Sequence, residues 1–167
     1  VHAEIVNFGD FGIPQERKRF ILVGVLGGDA MTFFKELLSK KVGFLEKKGL
    51  GEKITLKEAI SDLQRKHGEI VSREFPGFKE GIYGEGESNY QKLLRCKNTG
   101  LPDSHRFPNH NEETIKKFRY ILEKCSRGKN IDPSARQIFS INKHHIVPLA
   151  PDKQSPTLTT LPDDYIH

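Results

Sequence analysis

Two arginines separated by one residue, Arg17 and Arg19, stand where a glycine- and proline-containing loop runs into the apolar stretch Phe20–Val25. That stretch predicts a buried strand. Alternate residues of a strand share a face, so the two guanidinium groups should point the same way. A guanidinium presents forked N–H donors that suit a phosphate, a carboxylate or the edge of a base. The pattern therefore predicts a face for binding an anion or a base.

A second candidate segment lies near the other end of the chain, where three threonines stand close together at Thr157, Thr159 and Thr160. In an extended segment, their hydroxyls and backbone amides would offer a suitable surface for phosphate oxygens. Threonine also favours strands, so the same residues are compatible with an ordinary strand. Both interpretations can hold together.

The arginine segment resembles one block of the DNA (cytosine-5) methyltransferases, which reads approximately Asn-Ala-x-x-Tyr-Gly-Val-Pro-Gln-x-Arg-x-Arg before an apolar strand. The matching residues are Asn7, Phe11 in place of the tyrosine, Gly12, Ile13, Pro14, Gln15, Arg17 and Arg19. The threonine segment, within 151–167, resembles the Pro-Ser-x-Thr-(Leu/Ile)-Thr stretch that closes the target recognition domain of the same family. An ordinary loop with surface arginines is the alternative interpretation of the first match, and the second match argues against it.

The resemblance implies an enzyme that turns a cytosine out of the duplex, attacks C6 with a cysteine thiolate, and transfers a methyl group from S-adenosylmethionine to C5. Arg19 would hold the cytosine O2, while Arg17 and Gln15 would organise the loop. Thr157 would contact phosphate near the displaced base, with Thr159 and Thr160 as further DNA-binding residues. Which loop residues read bases stays open, and the candidates are Arg73, Lys79, Arg95, Arg106 and Arg136.

Several motifs of that family are absent from the 167 residues. They include the Phe-x-Gly-x-Gly turn for S-adenosylmethionine, the Pro-Cys-Gln nucleophile, the Glu-Asn-Val segment, and the arginine-rich helix and Gly-Asn segment that follow the recognition domain. We therefore expect a middle-to-late portion of a methyltransferase that binds no cofactor and is inactive by itself. Residues 1–26 would be the end of the catalytic sheet, and residues 27–167 the target recognition domain.

The expected partners are double-stranded DNA and the missing N-terminal catalytic portion, and exposed strand edges could drive self-association. The formal net charge of +5 and the pI of about 9.2 permit nucleic-acid binding without requiring it. A non-catalytic DNA-binding module and a protein-interaction domain are the two other function classes that stay open. Steep salt dependence of duplex binding would separate the DNA binders from the interaction domain, which would show no duplex affinity.

No apolar run reaches the length of a membrane span, and no signal peptide is recognisable, so we expect a cytoplasmic, prokaryotic protein. Cys96 and Cys125 suggest no disulfide scaffold and are interpreted as reduced thiols. Together with His105 and His110 they match no compact zinc pattern, so no metal is expected.

The predicted fold class is α+β, with a strand–loop–strand edge of a catalytic sheet followed by a small mixed domain of short strands and about four helices. The first helix is predicted at about 30–41, with Asp29 as cap and Gly43 after its end, and the next two at about 56–65 and 88–95. The fourth is predicted to start within 109–113, with an asparagine as cap, and to end at about 124. A capping box, Thr55 with Glu58, starts the second helix. The fourth should bury Ile115, Phe118 and Leu122.

The remaining stretches are interpreted as irregular or extended. Residues 75–86 are rich in glycine and aromatic residues and cannot form a regular helix, so they predict a flexible loop that either follows a duplex groove or is a mobile connection. Residues 137–141 and 144–147 are predicted as strands. Residues 144–147 would place His144 and His145 on opposite faces.

Overall fold

The computed structural model describes residues 1–95, 100–160 and 164–167. The strands are β1 His2–Asn7, β2 Lys18–Val23, β3 Glu69–Val71, β4 Lys79–Gly81, β5 Arg106–Phe107, β6 Val147–Pro148 and β7 Tyr165–Ile166. The α-helices are α1 Met31–Lys48 and α2 Leu56–Ile60, which lie between β2 and β3, α3 Asn89–Arg95, which lies between β4 and β5, and α4 Glu112–Lys124 and α5 Pro133–Ile138, which lie between β5 and β6. Small separate sheets interleaved with helices confirm the predicted α+β class. Cys96 and part of the stretch 151–167 lie outside the described residues.

The first two strands pair antiparallel, from His2 opposite Val23 to Asn7 opposite Lys18. Their connection opens with a tight helical turn at Phe8–Phe11, which ends at Gly12 in the left-handed conformation, with φ of 73°. A Cβ at Gly12 would lie 2.8 Å from Leu45 Cδ2. Glycine is therefore required there both by the backbone and by the packing of α1.

Helix α1 covers one face of this strand pair. Phe34 of α1 is buried, and its ring meets that of His2 edge to face, with 5.4 Å between the ring centres. The opposite face stays open, since the cross-strand neighbours Ile5 and Phe20 are 70% and 69% exposed. The strand pair is thus covered on one side only within the described part of the chain.

The predicted boundaries of α1 are wrong at its end. Gly43 lies inside the helix, and the last turn closes at Gly49, whose N–H donates to Glu46 O at 2.9 Å. A single glycine costs only about 1 kcal/mol in a helix, which the packing of Phe34 and Leu45 offsets. Asp29 does act at the start, because its Oδ1 accepts from Met31 N at 2.9 Å.

The capping box of Thr55 and Glu58 is confirmed, with both reciprocal hydrogen bonds formed. The α-helix that it starts is shorter than predicted and ends at Ile60. Two single helical turns follow, at Ser61–Leu63 and Arg65–His67. Helix α3 agrees with the prediction to within one residue.

Strands β3, β4 and β5 form an antiparallel sheet in that order. The prediction of a flexible loop at residues 75–86 is wrong at Lys79–Gly81, which forms the regular strand β4. Close packing against His105 requires a glycine at position 81 of this strand. A Cβ at Gly81 would lie 2.6 Å from the His105 ring.

The C-terminal part has its own core, in which Ile121, Ile131 and Ile146 are buried together with Ala135 and Ile166. Helix α4 begins after an asparagine cap, as predicted, and the capping residue is Asn111. The predicted buried stripe of α4 is wrong at Ile115, which is 44% exposed. Ile121, which was not predicted as buried, has no exposed surface. Burial raises the pKa of the free Cys125 thiol beside this core, and nearby Asp132 adds to the effect.

The strand prediction for residues 137–141 is wrong. Asp132 accepts from Ala135 N and Pro133 occupies the first turn, so a short helix forms through Ile138. The strand predicted at 144–147 reduces to the pair Val147–Pro148, which runs parallel to β7. Among residues 1–95, 100–160 and 164–167, no helix is long and apolar enough to cross a membrane, and no group of three metal-binding side chains occurs.

Candidate nucleic-acid interface

The two segments singled out in the sequence, at opposite ends of the chain, meet in the structure. Ser155 N donates to Pro14 O at 2.9 Å, and Glu16 N donates to Ser155 O at 2.8 Å. These bonds form a parallel bridge between Gln15 and Ser155. The closing segment, residues 151–160, is therefore an additional strand-like edge for the arginine loop, residues 7–19. We call the contact region of these two segments the junction.

The side chain of Gln154 holds the same loop from inside. Its Nε2 donates to Gly9 O at 2.7 Å and to Ile13 O at 2.8 Å. Gly9 is buried against it, and a Cβ at that position would lie 3.0 Å from the amide nitrogen. Gln154 was not among the predicted site residues. Its only indication in the sequence was its position next to Ser155 in the closing segment.

Thr157 makes a further hydrogen bond from the closing segment to the arginine loop. Its hydroxyl donates to Glu16 O at 2.8 Å, so this proton is not free to reach a phosphate while the bond lasts. No acceptor for its backbone N–H occurs among the described residues. A contact from Thr157 to phosphate would therefore use the amide, and the hydroxyl orients the segment.

Thr159 faces another partner, the carboxylate of Asp164, to which it donates. Asp164 is buried and also pairs with Lys143, with 2.7 Å between Nζ and Oδ1. The hydrogen bond from Lys143, and then that from Thr159, holds the pKa of Asp164 below its ordinary value of 3.8. Thr159 thus anchors the segment, and Thr160 beside it is exposed.

Arg17 and Arg19 are both exposed at the start of β2. Phe8 N donates to Arg17 O at 3.0 Å, which extends the strand ladder by one residue, so the two arginines share a face of the extended chain. Arg19 Nη1 donates to Lys18 O at 2.8 Å. Arg17 has no side-chain partner within the described residues, and Gln15 is partly exposed. The remaining donors of both arginines are open to solvent.

The amino-acid sequence of the chain matches one known protein family. A profile of the C-5 cytosine-specific DNA methylases matches residues 1–167. The chain belongs to this family. The Type II methyltransferase M.MthTI of Methanothermobacter thermautotrophicus is 38% identical over 63 residues, which is 38% of this chain and 16% of that protein. The match therefore spans a small part of the relative's length. No solved structure matches the chain.

The other basic candidates of this methylase chain divide into two groups. Three are held by intramolecular contacts. Lys79 pairs with Glu69, Arg95 with the buried Asp62, and Arg136 with Asn130 and backbone oxygens including His144 O. The contact of Arg95 favours a structural role, because binding DNA would leave the Asp62 carboxylate buried without its cation. The pair of Lys79 with Glu69 is more exposed and is therefore easier to exchange.

The second group has no ion pair among the described residues, and it consists of Arg73 and Arg106. Arg73 is exposed in the connection between β3 and β4. The Arg106 guanidinium carbon lies 3.8 Å from the centre of the Phe75 ring and 5.1 Å from that of Phe78. Its N–H donors remain available to a ligand.

Proposed function

We propose that the chain is the DNA-recognition portion of a DNA (cytosine-5) methyltransferase, which methylates C5 of a cytosine turned out of a specific duplex sequence. The observation that carries the proposal is the junction of the arginine loop with the closing segment, which leaves Arg17 and Arg19 exposed at its rim. The DNA methylase family supports DNA as the substrate. Extraction of the base is required because the catalyst cannot reach a stacked ring.

In this proposal Arg19 binds O2 of the everted cytosine. Negative charge builds on the ring when a thiolate attacks C6, and a cationic donor at O2 stabilises that charge. Gln15 and Arg17 hold the shape of the loop beside it. Thr157, through its amide, contacts the phosphate next to the displaced base, while Thr159 and Thr160 extend the backbone contact.

S-adenosylmethionine supplies the methyl group in this family's reaction, and one hollow in the described part of the chain is too small to hold it. A hollow between β1 and α1, lined by residues that include Glu4, Asp10 and Phe34, has a volume of about 180 Å³. Pockets for ligands of that size usually have about 300 Å³ or more. In this proposal the cofactor and the attacking cysteine come from another portion of the methyltransferase.

Residues 1–26 would be the end of a catalytic sheet and residues 27–167 the target recognition domain. The open face of the strand pair, which includes Ile5, Phe20 and Leu22, would then be covered by the rest of that sheet. Gly12 N donates to Glu52 O at 2.8 Å, and in this proposal the contact would tie the catalytic loop to the recognition portion. Without the catalytic portion, the same face would promote self-association.

The test is methyl transfer from labelled S-adenosylmethionine to duplex DNA, with and without the catalytic portion of the same enzyme. The chain alone should transfer no methyl group above background, and the two portions together should. Methyl transfer by the chain alone would refute the inactive fragment. Salt-dependent duplex binding with no activity in the mixture would instead identify a non-catalytic DNA-binding module.

A further inference from the structure

Arg106 on β5 is oriented by two aromatic rings of the β3–β4 connection. Its guanidinium carbon is 3.8 Å from the Phe75 ring centre and 5.1 Å from that of Phe78. Contact with aromatic faces fixes the plane of a guanidinium and leaves its N–H donors at the edge of that plane. Arg106 is exposed, so these donors face solvent.

The connection that carries the rings is itself well fixed. Ser72 N donates to Phe78 O at 2.9 Å, and Phe75 N donates to Ser72 Oγ at 3.0 Å. From outside the connection, Asn109 Nδ2 donates to Gly77 O at 2.9 Å. These bonds hold the rings in place before any ligand arrives, which lowers the ordering cost of binding.

Two other arginines lie over aromatic rings, and each has a carboxylate partner. Arg65 lies over Phe107 at 5.0 Å, and its Nε is 2.7 Å from Glu69 Oε2. Arg95 lies over Tyr83 at 4.7 Å and pairs with the buried Asp62. Among the arginines stacked on rings in the described ranges, Arg106 differs in having no such partner. Glu80 lies opposite Arg106 in the sheet, but no ion pair joins the two, and the Glu80 carboxylate accepts a hydrogen bond from Ser72 Oγ. The Arg106 guanidinium is therefore suited to an external acceptor.

The sheet register separates Arg106 from the other cations of the sheet. Arg106 is opposite Glu80, whereas Lys79 is opposite Phe107. Neighbouring residues of a strand point to opposite faces, so Arg106 lies on one face and Lys79 on the other, with Arg65 over Phe107. The two faces point in opposite directions, and among the described residues of this sheet the Arg106 face is the one that carries an oriented guanidinium without an ion pair.

We propose that Arg106 reads a guanine of the recognition sequence in the major groove, with Phe75 and Phe78 as positioning residues. This inference rests on the proposed function. Guanine presents O6 and N7 as two acceptors that a guanidinium meets with two parallel hydrogen bonds. A phosphate contact needs only a nearby cation, whereas base reading needs a donor of fixed direction, which the two rings provide here.

The experiment measures binding of the chain to duplexes with randomised positions, followed by affinity measurements on the selected sequence. The unmodified chain should select a guanine at a position where Arg106→Ala accepts any base, with a loss of discrimination of about 10-fold or more. Replacement of that guanine by 7-deazaguanine, which lacks the N7 acceptor, should weaken binding of the unmodified chain but not of Arg106→Ala. Phe75→Leu should lose part of the same preference.

Arg65→Ala is the matched control, because it removes a ring-stacked arginine from the other face of the sheet, and it should keep the preference. An unchanged preference in Arg106→Ala overturns the inference while duplex binding leaves the proposed function standing. Equal weakening on all duplexes, with a salt slope reduced by about one, would identify a phosphate contact and also overturn it. Absence of any duplex binding by the unmodified chain overturns both.

Discussion

The hydrogen bonds of Gln154 offer the sharpest test of how the junction is held. Gln154→Ala removes the amide that donates to Gly9 O and Ile13 O and leaves both carbonyls without it. Each lost bond costs about 0.5–1.5 kcal/mol net, so the free energy of unfolding should fall by about 1–3 kcal/mol. For a chain of this size that corresponds to a fall in Tm of about 2–12 °C.

Urea unfolding of the chain is the assay, with Gln137→Ala as the matched control. Gln137 is an exposed glutamine on α5 with no side-chain hydrogen bond among the described residues, so its removal should change stability by less than about 0.5 kcal/mol. If Gln154→Ala unfolds at the same urea concentration as the control, then the closing segment does not hold the arginine loop through this side chain, and the reasoning is refuted.

Three further predictions concern packing, burial and pH. Gly9→Ala should destabilise by about 1–3 kcal/mol in urea unfolding, because the new methyl group would lie 3.0 Å from Gln154 Nε2 and 3.1 Å from Gln15 O; an unchanged midpoint would contradict this. Arg95→Ala should cost about 3 kcal/mol, since it leaves the Asp62 carboxylate buried without its cation; a loss of less than about 1 kcal/mol would be too small for that account. The lowered pKa of Asp164 stabilises the fold fully above the ordinary value of 3.8, and this contribution is lost as pH falls through the lowered value. The Tm advantage of the unmodified chain over Asp164→Asn should therefore shrink in acid, and an undiminished difference would contradict this.

Local signals in the sequence predicted the elements that they directly determine. The Thr55 capping box and the Asn111 cap each satisfy backbone N–H groups within three residues, so the helix starts follow from nearest neighbours alone. The Asp132–Pro133 pair was an equally local signal, which the β-forming residues after it obscured. Ile138 lies on a helix in spite of its strand propensity, because propensity is a weaker determinant than the cap and the packing of Ala135.

Long-range contacts could not be predicted in the same way. The resemblance linked the two ends of the chain to one family, but no periodicity indicated that Gln154 and Thr157 would bond to the arginine loop. Whether a basic side chain forms an ion pair also depends on residues that are distant in the sequence. Lys79 and Arg106 are equivalent in the sequence, yet one meets a glutamate and the other two aromatic rings.

The proposed function requires that Arg19 acts on the reacting cytosine from the rim of the junction. Its most direct test is the turnover rate of the chain combined with its catalytic portion, measured for Arg19→Ala beside the neighbouring control Lys18→Ala. The account predicts a fall in methyl transfer of about 100-fold for Arg19→Ala with duplex affinity nearly unchanged, and turnover close to normal for Lys18→Ala. Normal turnover in Arg19→Ala would contradict it.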